Sequence, residues 1–289
     1  MRVLVTGGSG FLGAHVLPLL IKRDHEVTAL ARSSDAVKRV GRLGAVPIVG
    51  DLDDPMSLDS AFTASGAEAL VNLASLGFGH ADAIVSAAED AGLKRAVFVS
   101  TTAIFTALDA RSRSVRMAAE ASIKDSLLEW TIVRPTMIYG TPADRNMWRL
   151  LRFLRWCPVV PIPGTGARLQ QPVHVDDLAG AIVSALDVPT TVGRAYDIAG
   201  PEPLMFREVV QQASAAAGRR VVLLPVPLRP AIVTLRLYER AARRPRLKAE
   251  QVERLAEDKA FDIEAARTDL GYRPRAFADG IRAELTMRS

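Results

Sequence analysis

Val5-Thr6-Gly7-Gly8-Ser9-Gly10-Phe11-Leu12-Gly13, VTGGSGFLG, closes a short β-branched run and opens a helical pattern. Gly7, Gly10 and Gly13 are spaced three apart, and Gly8, Gly10 and Gly13 also satisfy G-x-G-x-x-G. The first glycine permits a tight turn, the middle one lets backbone approach a pyrophosphate, and the last lets helix and strand pack closely. The helix start behind it offers unpaired N–H groups and the positive end of a dipole to phosphates. Strand, turn and helix in that order predict a dinucleotide site.

Working outward, the strand candidates are 2–6, 26–31, 45–50, 69–74, 95–100 and 130–134, all nearly continuous apolar runs of the kind covered on both faces. Amphipathic segments at Phe11–Arg23, Ser34–Arg42, Pro55–Ala64, Ala81–Ala91 and Ser112–Ser126 alternate with them. That alternation predicts an α/β Rossmann fold, a doubly wound parallel sheet with right-handed crossovers. After Pro135 the rhythm breaks. A basic amphipathic helix at 147–156 and a Pro/Gly turn region at 158–166 lead to 170–187, a strand entering a helix that Asp176 or Asp177 is placed to cap. A strand at 194–200 follows, then a mostly helical, polar remainder. The expected division is a dinucleotide-binding domain at 1–140, rejoined by 168–200, and a smaller, mostly helical substrate-binding part at 141–167 and 201–289.

The tip of the second strand bears on which dinucleotide is bound. An NAD site places an acid there for the ribose 2′-hydroxyl. This strand ends Leu30-Ala31-Arg32-Ser33-Ser34, with Asp35 slightly too far along. Arg32 can pair with a 2′-phosphate and Ser33 can add a hydroxyl, so NADP is favoured over NAD.

Composition narrows the partners. Among 289 residues, 49% are hydrophobic and 24% charged, with a formal charge of +5. The mild basic excess is spread out, without the interleaved aromatics of a nucleic-acid binder. One cysteine, Cys157, excludes an internal disulfide, and His15, His25, His80 and His174 are scattered, so no metal site is expected. No leader pattern or membrane-length apolar stretch is visible, which makes a reducing, cytoplasmic setting the default expectation.

Several stretches together resemble the short-chain dehydrogenase/reductase superfamily, in its extended and atypical branches near the NAD-dependent epimerase/dehydratase group. TGGSGFLG matches T-G-x-x-G-x-x-G. GDLDD (50–54) is similar to the adenine-facing segment, VNLAS (71–75) to the strand end at the nicotinamide ribose, and VSTTAIF (99–105) to the active-site Ser/Thr strand. RPTMIYG (134–140), QPVHVDDLAGAI, YDIAGPEPLMFREVV and LGYRPRAFADGI resemble later signatures, so nearly the whole chain is covered. The resemblance implies cofactor contacts at Gly7, Gly10, Phe11, Leu12, Gly13, Asp51, Leu52, Leu73, Ala74, Ser75 and Pro135, besides Arg32 and Ser33. It also implies a Tyr-x-x-x-Lys pair on the helix after strand five, with Thr101 or Thr102 polarising a carbonyl. Here the chain departs. RSRSVRMAAE (111–120) has neither residue, and Glu120 aligns Ser112 with the tyrosine and Arg116 with the lysine. Arg116 can bind ribose or phosphate but stays charged, and Ser112 is too short and too weak an acid. Tyr139 is the first substitute by motif. Lys124, Asp109, Asp144 and His80 rank lower, each more readily structural or solvated.

Two functions therefore compete. One is an NAD(P)-dependent oxidoreductase or epimerase/dehydratase-like enzyme for a sugar-nucleotide-like or related small molecule. The other is a non-catalytic NADP(H)-binding sensor or assembly protein. A homodimer through 81–91 and 112–126 follows by analogy only. Arg145, Arg149 and Arg152 face away from Met147, Leu150, Leu151 and Leu154, and 235–248 adds charge. A membrane-surface role is set below ordinary core packing for this helix.

Overall fold

A computed structural model describes residues 1–108, 111–144, 147–242 and 249–286, with the side chains at 111, 241, 250 and 251 outside the description. Asp109 and Arg145, and 243–248 of the basic run, fall outside it.

The first half is strand–helix alternation: β1 (Arg2–Thr6), α1 (Gly13–Lys22), β2 (Glu26–Ala31), α2 (Ser34–Arg42), β3 (Val46–Val49), α3 (Pro55–Ser65), β4 (Ala69–Asn72), α4 (Ala81–Asp90), β5 (Arg95–Val99), α5 (Arg111–Asp125) and β6 (Glu129–Pro135). Capping fixes several starts. The Ser33 hydroxyl accepts from the Ala36 N–H at 3.3 Å, and Asp54 accepts from Met56 and Ser57 ahead of Pro55.

The second half runs β7 (Ile138–Tyr139), α6 (Met147–Leu154), β8 (Val159–Pro163), β9 (Leu169–Gln170), β10 (Val173–His174), α7 (Val175–Asp187), β11 (Arg194–Ile198), β12 (Leu204–Met205), α8 (Phe206–Ala216), β13 (Val222–Val226), α9 (Leu228–Ala241), α10 (Ala249–Leu255), α11 (Glu264–Leu270) and α12 (Phe277–Thr286). β1–β6 and β11 make one parallel sheet in the order β11-β6-β5-β4-β1-β2-β3. The order reverses between β1 and β4, which opens a crevice at the carboxyl ends of the strands. The loops that follow β1, β2, β4, β5 and β6 all emerge on that edge.

Each sheet face has its own core. Val3, Val5, Leu17, Leu20, Val97, Ile182 and Val183 pack beneath α1 and α7, while Leu4, Phe62, Leu70, Ile84, Phe98 and Ile123 pack beneath α3, α4 and α5. A third cluster, with Met147, Leu151, Leu154, Val160, Val209, Phe277 and Ile281, joins α6, α8 and α12 to the β8–β13 pair. The apolar side of α6 is thus spent on packing. α11 departs from the expected division, because Ile263, Ala266, Leu270 and Tyr272 pack into the core under the sheet beside α7.

The start of α7 differs from expectation. Neither aspartate caps it: His174 does, its Nδ1 accepting from the Asp176 N–H at 3.2 Å. Asp176 lies 2.7 Å from His15 Nδ1, and that bond holds its carboxyl below the usual range. Asp177 receives the Arg275 backbone N–H at 2.9 Å and the Arg275 guanidinium at 2.8 Å.

Candidate nucleotide and active site

The glycine loop has the geometry a pyrophosphate needs. Gly7 sits at φ +70°, and a Cβ there would lie 2.7 Å from the Ala74 backbone nitrogen. A Cβ on Gly13 would run into the Gly8 carbonyl oxygen, so the helix start is pressed onto its own loop. The loop is anchored behind by Thr6, whose hydroxyl donates to Asn72 Oδ1 at 2.5 Å, and by the Leu73 N–H, which donates to Thr6 O at 3.0 Å. Asn72 Nδ2 then donates to Ala74 O. Gly7 and Leu73–Ser75 therefore form one rigid rim, which fits a dinucleotide laid across the switch point.

At the second-strand end, Arg32 is exposed, 3.7 Å from Asp53 Oδ2, and Asp53 also lies 3.5 Å from His80 Nε2. Ser33 is engaged as a cap acceptor but keeps its own proton to donate. Arg39, which sequence reading did not single out, places Nη1 3.0 Å from Ser9 O and so brings a second guanidinium over the loop. The Asp51 carboxylate accepts from the Asp53 N–H at 3.1 Å and its own N–H donates to the Ser57 Oγ at 3.2 Å, while Leu52 packs on the α3 core.

The active-site end is more altered. Thr101 and Thr102 both aim their hydroxyls at Pro135 O, at 3.5 and 3.3 Å, and Thr101 also caps Ala103. Either hydroxyl must turn from Pro135 to meet a substrate. Ser100, at the end of β5, is different: its buried Oγ has no hydrogen-bond partner. It stood next to the threonines in the sequence, but only burial distinguishes it.

On α5, Ser112 is half-buried and lies one turn from Arg116. Arg116 rests on Gly77, just beyond Ser75, and its Nη1 donates to Ser112 O at 3.3 Å. Burial, with Arg254 nearby, lowers its pKa from the ordinary arginine value. The helix is held in place by Glu120, buried and paired with Arg134 of β6 through contacts of 2.6–3.1 Å. Arg134 also faces Asp197 at 3.7 Å and stands over the Phe105 ring at 5.3 Å. Sequence reading quoted Arg134 only as a motif letter.

Tyr139 is corrected by this geometry. It is 1% exposed, its hydroxyl is pressed against Gly280 of α12, and its ring packs on His174 and Phe277. Burial raises its pKa, the wrong direction for an acid working near neutrality. Asp144 is buried at the entry to α6, accepting from the Trp148 N–H at 3.0 Å, and Lys124 lies 3.9 Å from Glu120. Among the described residues no group of acids, histidines and cysteines could hold a metal.

Known proteins resemble this chain in sequence and fold. Residues 7–154 match a family model described as NAD(P)H-binding. The 2-alkyl-3-oxoalkanoate reductase of Stenotrophomonas maltophilia (strain K279a) is 27% identical, with 98% of each chain aligned. The mitochondrial NADH dehydrogenase (ubiquinone) 1 alpha subcomplex subunit 9 of Arabidopsis thaliana is 30% identical over 80% of this chain and 62% of its own length. A UDP-glucuronic acid 4-epimerase from Bacillus cereus, solved with UDP-glucuronic acid and NAD, superposes with a TM-score of 0.75 at 17% identity over 99% of this chain and 98% of that one, which is a likeness of fold.

Proposed function

Since this chain belongs to the NAD(P)H-binding family, within the extended short-chain dehydrogenase/reductase superfamily, we propose that it is an NADP-linked oxidoreductase acting on a carbonyl or hydroxyl of a sugar-nucleotide-like or related small molecule. Its proton path does not use the Tyr-x-x-x-Lys pair. The observation that carries this reading is the intact rim of Gly7, Gly13 and Leu73–Ser75, with a partnerless hydroxyl at Ser100 and a guanidinium at Arg116 beside it. The near full-length match to a reductase supports it.

Gly7, Gly10, Phe11, Leu12 and Gly13 would hold the pyrophosphate, and Asp51 with Leu52 the adenine side. Arg32 and Ser33 would take the 2′-phosphate. Leu73, Ala74, Ser75, Pro135 and Arg116 would frame the nicotinamide ribose. When bound, the cofactor supplies or accepts hydride. The chain's own contribution is to orient the substrate carbonyl and polarise it through Ser100, Thr101 or Thr102.

Mass spectrometry of nucleotide released on denaturing fresh protein tests the reading, together with fluorescence titration by NADPH and NADH. NADP(H), or an empty site that selects NADPH, is expected. Arg32→Ala should weaken NADPH binding about tenfold or more, roughly the loss of one charge-assisted pair, and leave NADH binding little changed. Retained NAD⁺ would sink the role given to Arg32 and favour a redox-neutral epimerase.

A second reading has its own support. Ser112 and Arg116 stand where the proton relay belongs, and one relative is named as a subunit of NADH dehydrogenase. On that reading the chain binds NADP(H) as a sensor or assembly part. Tight NADPH binding without NADPH oxidation across a panel of ketone and sugar-nucleotide substrates would favour it.

A further inference from the structure

Residues 145–175 hold five arginines and no acid, and residues 209–238 hold four arginines and no acid. The fold joins these two segments. β8 and β13, one from each, pair in parallel with Val159 beside Val222 and Pro161 beside Leu224. Val160 and Ile162, between those positions, are buried in the core shared with α6 and α8. Side chains alternate along a strand, so the other face of the ribbon carries Val159, Pro161, Val222 and Leu224. All four are exposed, Val222 at 65% and Leu224 at 52%. Trp156, three residues ahead of Val159, is 82% exposed.

The charge at the leading end of this ribbon has one sign. The Val222 N–H donates to Pro158 O at 2.8 Å, which brings Arg219 and Arg220, just ahead of β13, to the same end as Arg155 and Trp156, just ahead of β8. Arg152 lies in the last turn of α6. These four arginines are exposed, and among the described residues their guanidiniums have no hydrogen-bond or ion-pair partner. Neither 145–146 nor 243–248, outside the description, holds an acid to neutralise them. Apolar side chains left in water and unneutralised positive charge therefore coincide on one face.

We propose that this outer face of the β8–β13 ribbon, with Trp156, Arg152, Arg155, Arg219 and Arg220, docks the protein on an anionic lipid surface. The indole and the aliphatic row enter the headgroup layer, where amphipathic rings settle, and the guanidiniums meet lipid phosphates. No described helix is long and apolar enough to cross a bilayer, so the contact is one of lying on the surface. The leucines of α6 take no part, being packed in the core. Charge argues against a second copy as the occupant. A two-fold contact would set the same arginines of both protomers face to face with no acid between them. A nucleic acid would answer the charge but not the aliphatic row, which offers its bases no aromatic stacking.

Flotation of the full chain with vesicles tests the assignment. Vesicles of phosphatidylcholine containing about one-third phosphatidylglycerol should bind about tenfold or more tighter than pure phosphatidylcholine at about 0.05 M salt, and salt at about 0.5 M should weaken the binding severalfold. The double variant Arg219→Gln, Arg220→Gln should lose about tenfold or more in vesicle affinity with an unchanged melting temperature. A second measurement needs no loss of function. Brominated lipid in the anionic vesicles should quench wild-type tryptophan fluorescence, and Trp156→Phe should remove that quenching while still binding. No flotation with the anionic vesicles at low salt overturns the proposal, as does equal binding to both vesicle types. Binding that survives the double arginine variant, with quenching that survives Trp156→Phe, places the contact elsewhere and overturns this face. A dimer in sedimentation that Trp156→Phe dissociates, or capture by single-stranded DNA in place of vesicles, gives the face to another occupant and overturns the lipid assignment.

Discussion

Arg134 touches three elements at once: Glu120 on α5, Asp197 on β11 and the Phe105 ring beside the threonines. A half-buried guanidinium between two carboxylates is costly to assemble and far more costly to break, because removing it strands Asp197 and leaves Glu120 with Lys124 at 3.9 Å. Arg134→Met should cost about 3–5 kcal/mol in denaturant unfolding. The sign of its pH dependence follows from Asp197, whose pKa burial raises even with Arg134 present. A carboxyl raised in the folded state opposes folding when ionised, and that penalty fades as pH falls through its folded pKa. The deficit of Arg134→Met should therefore shrink as pH falls from neutrality into the acid range. A deficit independent of pH would show that packing on Phe105, not charge, is what Arg134 supplies.

At the scale of elements, α1 and its loop pose conflicting preferences. Alanine is favoured over glycine in a helix by about 1 kcal/mol, so propensity alone recommends Gly13→Ala. The structure reverses the sign, since the new methyl would meet the Gly8 carbonyl oxygen and push the helix off its loop. Gly13→Ala should lower NADPH affinity by about tenfold or more, measured by fluorescence titration, and lower the melting temperature as well. Unchanged affinity would mean that the loop can open without loss of the site. The same element shows how far local pattern reaches. The helix ranges read from periodicity hold to within a residue or two at α2, α3, α4 and α5, because each buries a 3.6-residue stripe on the sheet. The start of α7 was misread for a physical reason. An aspartate before a helical run is the usual cap, but His174 enters from a strand paired to β7 and arrives two residues earlier.

For the molecule as a whole, the join between sheet and C-terminal elements rests partly on Arg275 and Asp177. Backbone and guanidinium of Arg275 both bind one carboxylate at the start of α7. Asp177→Asn keeps the shape but removes the charge, and should cost about 1–2 kcal/mol. Hydrogen exchange should quicken first in α11 and α12, which lie on either side of Arg275. Exchange that rises evenly through the sheet would instead make the pair a general support. No helix among the described residues is long and apolar enough to cross a membrane, and the packed face of α6 leaves its arginines, not its leucines, at the surface.

The sheet, its cofactor edge and the glycine rim were legible from the chain alone, because period-two and period-3.6 patterns and a Gly-x-x-Gly-x-x-Gly spacing are local properties. The absence of Tyr and Lys from 111–120 was legible in the same way. The surroundings of the groups near that helix were not. Glu257 meets Thr106 across 151 residues of sequence, and no short-range pattern marks such a contact. Tyr139 read as a spare phenol until burial against Gly280 removed it, and Ser100 was an ordinary letter until its surroundings left its hydroxyl without a partner. Desolvation and partnering depend on everything that packs around a group, so only the tertiary structure decides which side chains are poised to react.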